Sequence, residues 1–179
     1  MKATRILLAA MVFGTVIGAN KANAQNCGGI GSCNLTNTAS VAVGALVKLT
    51  MSSATTTLTP PSASDLDLGN ILADNGPTFG IKANRSWTLK IKSQNATNWT
   101  YAGSNSGVKP ISDLAWSATS GGTFAAITNS DATLASGGSA TNSGSAAVFF
   151  KTTWVADFAS LANVEGTYTL PIIFTLSAP

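Results

Sequence analysis

The 179-residue sequence contains no histidine, only two cysteines, and charged side chains at just 9% of positions. Each scarcity excludes something. Without histidine the usual general base near neutral pH is missing, and Ser-His-Asp or Cys-His constellations cannot be built. Two cysteines with no histidine fall short of the four ligands of a structural zinc site. The low charge is not that of a disordered chain, because 45% of the residues are hydrophobic and disorder needs the opposite composition. Long apolar runs are scarce too. The one at residues 6–18 follows Lys2 and Arg5 and precedes Ala22-Asn23-Ala24. It is shorter than the roughly 20 residues of a spanning helix, and its small residues sit where a leader is cut, so a cleaved signal peptide is expected over residues 1–24. No other segment is apolar for long enough to cross a bilayer. The chain is therefore expected to be exported, to the periplasm, the cell surface or beyond.

The formal charge of +3 invites a search for an anionic partner, but removing residues 1–24 deletes Lys2, Arg5 and Lys21 and leaves seven basic residues against seven acidic ones. A neutral chain has little to release from phosphates, so nucleic acid is not an expected partner. Partner recognition is expected to depend only weakly on salt. Lys90 and Lys92 are expected to share one solvated strand face. In an exported chain, Cys27 and Cys33, separated by a glycine-rich stretch, are expected to close a small disulfide loop near the mature N-terminus.

From residue 39 onward the pattern has period two. Tyr168, Leu170, Ile172, Phe174 and Leu176 alternate with threonine-rich neighbours, and Pro171 predicts a bend or bulge in so long a run. Trp87, Leu89 and Ile91 alternate with Thr88, Lys90 and Lys92. Val148, Phe150, Thr152 and Trp154 form another set, and Leu114 with Trp116 a further one. Val41, Val43, Val47, Leu49 and Met51 read as one long strand with a bulge at Gly44-Ala45. Asn75-Gly76-Pro77 reads as a turn, and residues 136–145 as a mobile hairpin loop with nothing to bury. The fold class expected is all-β: an Ig-like antiparallel β-sandwich of about seven to nine strands. Its organisation is a leader at residues 1–24, a disulfide-loop segment at 25–38 and a sandwich domain at 39–179.

No residues are expected in catalytic, cofactor or metal roles, and an enzymatic function is not expected. Asp65 and Asp67 would share a face of a strand, where with Asp74 they could offer hard oxygen ligands to calcium; a polar strand edge is the plainer reading. Trp99 and Tyr101 are the candidate ligand-contact aromatics, expected to be exposed and to stack on polysaccharide.

The terminal run from Gly166 through Tyr168, Leu170, Ile172, Phe174 and Leu176 to Pro179 resembles the last strand of bacterial fimbrial subunits of the chaperone-usher type, which starts at a glycine fourteen places from the end; Ala178 stands where those subunits have tyrosine. The resemblance implies a fimbria-like structural or adhesion protein that assembles with itself or with other surface subunits. It also implies that residues 39–51, with Val41, Val43, Val47 and Leu49, could serve as a donor strand added to a neighbour's sheet. Trp87-Thr88-Leu89 resembles the Trp-x-Leu motif of WxL surface domains, which implies an alternative: a module that binds cell-wall polysaccharide.

Overall fold

A computed structural model describes Gly28 and residues 31–179. The expected signal peptide lies outside the described residues. So does Cys27, and with it the expected Cys27–Cys33 pairing. The chain divides into two units, Met1–Ala42 and Val43–Pro179. In the first, the described residues carry no helix or strand. The second is an antiparallel β-sandwich.

Its strands are β1 (Val47–Met51), β2 (Ile71–Ala83), β3 (Trp87–Ser93), β4 (Thr100–Ala102), β5 (Leu114–Ser117), β6 (Ala125–Ala126), β7 (Ala132–Gly137), β8 (Thr141–Thr153), β9 (Thr167–Thr169) and β10 (Ile172–Ser177). One sheet has the order β1-β2-β8-β5-β6 and the facing sheet the order β10-β3-β7, while β4 and β9 make a separate ribbon. The period-two pattern explains which faces meet. Phe79, Ile81 and Ala83 on β2, Trp87, Leu89 and Ile91 on β3, and Val148 and Phe150 on β8 are all buried and belong to one core. The residues between them are threonine, lysine, glycine or serine for the most part, and these point away. Lys90 and Lys92 share the outer face of β3 as expected, with Asp131 between them at 3.6 and 3.1 Å.

Four local expectations are corrected. The long strand read from Val41 to Met51 is a strand only at Val47–Met51; Val41 and Val43 lie outside it and are exposed. Asn75-Gly76-Pro77 is a bulge inside the thirteen-residue β2, where the register with β8 slips between Asn75 and Thr78. Proline has no N–H for the ladder, and a Cβ on Gly76 would lie 2.6 Å from Phe150 and 2.7 Å from Val148. Bare backbone lets those core side chains approach at this point. Residues 136–145 are mostly strand: β7 runs to Gly137 and β8 starts at Thr141. Ladder hydrogen bonds are made by backbone, so a run of Ser, Gly and Thr can extend a sheet without burying anything. Finally, Asp65 and Asp67 are on a short helix, α1 (Ala63–Leu68), not on a strand. The expected break near Pro171 is found, since β9 ends at Thr169 and β10 begins at Ile172.

The α1 helix has sequence-coded ends. Ser62 and Asp65 form a capping box: the Ser62 hydroxyl accepts from the Asp65 N–H at 3.3 Å and the Asp65 carboxylate accepts from the Ser62 N–H at 2.7 Å. The Ser62 hydroxyl also donates to the Asp65 carboxylate at 2.6 Å, and that bond, with those from the Asn70 side chain and the Ser62 N–H, holds the Asp65 carboxyl below its ordinary range. Gly69 closes the helix in the left-handed region at φ 68°. A Cβ there would sit 3.2 Å from the Ala156 Cβ. Gly69→Ala is therefore expected to cost about 1 kcal/mol or somewhat more, measurable as a lower urea midpoint with unchanged slope.

Candidate functional site

Strand β10 is the open edge of its sheet. It pairs with β3, from Ile172 opposite Ser93 to Ser177 opposite Thr88, and among the described residues its other side has no strand partner. An edge of this kind leaves backbone N–H and C=O groups available to another chain. Beside it runs a groove of about 820 Å³, whose far wall is the segment 51–61. Apolar side chains that line it include Leu58, Trp99, Leu114, Phe150, Ile172 and Phe174. Phe174 leans on Phe79 of the opposite sheet at 4.6 Å between ring centroids.

The local sequence explains why the far wall does not close the edge. Pro60 and Pro61 have no N–H to donate, and the Thr59 N–H and hydroxyl are both spent on the Asp74 carboxylate, at 3.1 and 2.6 Å. The segment is thus fastened to β2 and faces β10 across the groove.

One wall carries a buried cation. Lys109 is 1% exposed, and its ammonium donates to Asp113 Oδ2 at 3.1 Å and to the Thr153 carbonyl at 2.7 Å, 4.0 Å from the centroid of the Trp154 ring. Desolvation pushes the Lys109 pKa down from 10.5, and the charge of Asp113 opposes this. The sign follows from linkage. Between the lowered value and 10.5 the unfolded chain binds more protons than the folded one, so the burial penalty is full below that window and is relieved as pH rises through it. Wild type is accordingly expected to gain thermal midpoint relative to Lys109→Met as pH climbs toward 10.5; a difference that stays flat over that range would refute the assignment. The nearby Thr152 hydroxyl and Trp154 indole N–H are buried without a hydrogen-bond partner, each at a cost of about 1–3 kcal/mol.

The structure separates the two candidate aromatics. Trp99, expected to be exposed, is 9% exposed and belongs to the core, with its indole N–H donated to the Pro110 carbonyl at 3.0 Å. It has no free face for a sugar ring. Tyr101 is half-buried, its hydroxyl bonded to the Glu165 carbonyl at 2.6 Å and its ring 5.1 Å from that of Tyr168. Trp87 and Leu89 of the Trp-x-Leu motif are core residues at 7% and 0% exposure. Of the donor-strand residues, Val47 and Leu49 pair within this chain's own sheet, opposite Ala83 and Ile81. That half of the segment is thereby occupied, whereas Val41 and Val43 remain outside any strand. The Asp65 carboxylate is committed to Ser62 and Asn70, and among the described residues no three His, Cys, Asp or Glu side chains converge. Sequence reasoning missed the groove and the burial of Lys109. Only the pair of prolines at 60 and 61, which bar a strand, could have pointed to the former.

No protein-family model matches this chain, and no curated protein matches it. Among solved structures it is similar to a chain from the structure of a chaperone-usher pilus, at 11% identity and a TM-score of 0.47, with 87% of this chain and 100% of that chain covered. Among the described residues no helix is long and apolar enough to cross a membrane.

Proposed function

We propose that this protein is an exported, non-enzymatic structural subunit of a surface fibre, and that it accepts a β-strand from another subunit along β10. The observation that carries the reading is the open β10 edge beside an apolar groove whose opposite wall cannot pair with it. Adding a strand to an exposed edge satisfies a row of backbone groups and buries alternate side chains in one step. The chain also has a segment suited to the donor role. Leu35, Ala39, Val41 and Val43 alternate with Thr36, Thr38, Ser40 and Gly44 or their neighbours, and residues 32–46 carry no regular secondary structure. Leu35, Val41 and Val43 are exposed at 60%, 88% and 72%. A strand-like pattern without a strand, and an edge without a partner, fit one another between copies.

The export signal read at residues 1–24 and the absence of histidine throughout the sequence agree with a structural role outside the cytoplasm. The test is electrophoretic. Protein purified after export and left unheated in SDS is expected to run as a ladder at multiples of the subunit mass, whereas a monodisperse monomer under the same conditions would overturn the proposal.

A further inference from the structure

The seven acidic and seven basic residues from Lys48 to Glu165 balance in number, but not in place. Two groups of ion-paired charges, Lys90 and Lys92 with Asp131 and Lys109 with Asp113, are settled within the molecule. Of the rest, Lys48, Lys82 and Arg85 lie toward one end of β2, and the acids toward the other, where Lys151 lies opposite Ala73. One end of the sandwich is formed where β2 ends, at the turn into β3. Lys48 on β1 lies directly opposite Lys82 on β2, and Arg85 occupies the turn. All three are exposed, and no acid lies within ion-pair distance of them among the described residues. Like charges facing each other across a strand pair are destabilising. The monomer carries that cost without return.

The other end is formed where β2 begins and β8 finishes, since Ile71 pairs with Thr153 and the Trp154 N–H bonds to the Asn70 carbonyl. There Asp67, Asp157 and Glu165 are exposed without a basic partner. Ile71, Phe158 and Leu161, on the same segments as these acids, are 58%, 56% and 55% exposed. Lys151, opposite Ala73 near this end, is engaged instead with the Phe124 ring at 4.3 Å. Thirteen strand residues put the two ends about 40 Å apart, roughly five Debye lengths at physiological salt, so neither end neutralises the other within one molecule.

We propose that the acidic, apolar end of one copy docks on the basic end of the next, head to tail. The exposed Leu46 and Val47 beside the lysines, at 59% and 44%, meet the apolar cluster, while acids meet bases around it. Because the two surfaces are different and lie at opposite ends, the contact does not close on itself and propagates in a line. This docking uses neither β10 nor its groove, and it makes association salt-dependent despite a net charge of zero.

The test is sedimentation of SDS-dissociable species from the exported protein. Self-association is expected to weaken about tenfold or more between about 50 and about 500 mM NaCl. Lys82→Glu with Arg85→Glu, or Asp157→Lys with Glu165→Lys, should each abolish it, and mixing the two variants should restore it. The positions are exposed, so the acid-to-lysine variant should keep the wild-type thermal midpoint, while Lys82→Glu relieves the repulsion with Lys48 and should hold or raise it. Salt-independent mass, or variants that associate singly as wild type does, would overturn the proposal. SDS-resistant ladders report the strand-accepting groove instead and are expected to ignore salt, so each idea can fail while the other stands.

Discussion

Replacing Val41 and Val43 together with aspartate is expected to abolish the SDS-resistant ladder while leaving the subunit's own thermal midpoint unchanged. Both side chains are exposed and outside any strand in the chain itself, so the monomer loses nothing when they become polar. Inserted in a neighbour's groove against Leu114, Phe150 and Phe174, the same positions must be desolvated. Burying an unpaired carboxylate, or protonating it to avoid doing so, costs about 2–3 kcal/mol or more per residue. The pair therefore cuts strand affinity by about a thousandfold or more. The measurement is the ladder on an unheated gel beside a melting curve of the monomer. A ladder of wild-type intensity from the double variant would show that these residues are not the inserted strand. Val47 and Leu49 make the contrast: they pair with β2 in the same chain, so aspartate there should lower the monomer's melting temperature as well.

The second large effect is expected at Phe150. This residue is 2% exposed on β8, which lies third in the five-stranded sheet between β2 and β5, and its ring fills the space left by Gly76. Phe150→Ala is expected to cost about 3–5 kcal/mol, the lost transfer energy plus that of a cavity the surrounding strands cannot collapse into. Against a total stability of about 5–15 kcal/mol for a domain, this brings the fold close to its threshold. A chemical denaturation series measures it, and a loss below about 1 kcal/mol would mean that the site is loosely packed. Phe150→Leu, which keeps much of the volume, should recover most of the stability.

Much of the fold is legible because the chain is written in a period of two. The alternation at Trp87, Leu89 and Ile91, or at Val148 and Phe150, identifies an inner face whichever strand lies beside it, since successive side chains must point to opposite sides. Where the reading failed, a local signal was outweighed. Asn75-Gly76-Pro77 has turn chemistry, yet the pairing of β2 with β8 continues past it, and a bulge absorbs the glycine and proline at less cost than ending two long strands. Residues 136–145 have loop composition, but their backbone joins ladders to β3 and β2. Trp99, expected to be exposed, is buried instead, because the carbonyl of Pro110, eleven residues away, gives its N–H a partner.

What the sequence by itself determined is the class of molecule: strands from alternation, a core from the apolar phase, no histidine chemistry, and zero net charge once residues 1–24 are set aside. Those are properties of neighbours along the chain or of sums over it. The tertiary structure decided that β10 is an edge, that segment 51–61 lines the groove beside it, and that Lys48, Lys82 and Arg85 gather at one end with Asp67, Asp157 and Glu165 at the other. The physical reason is that edges, grooves and charge separation depend on which distant segments become neighbours. A composition that sums to zero says nothing about how far apart its positive and negative parts are held.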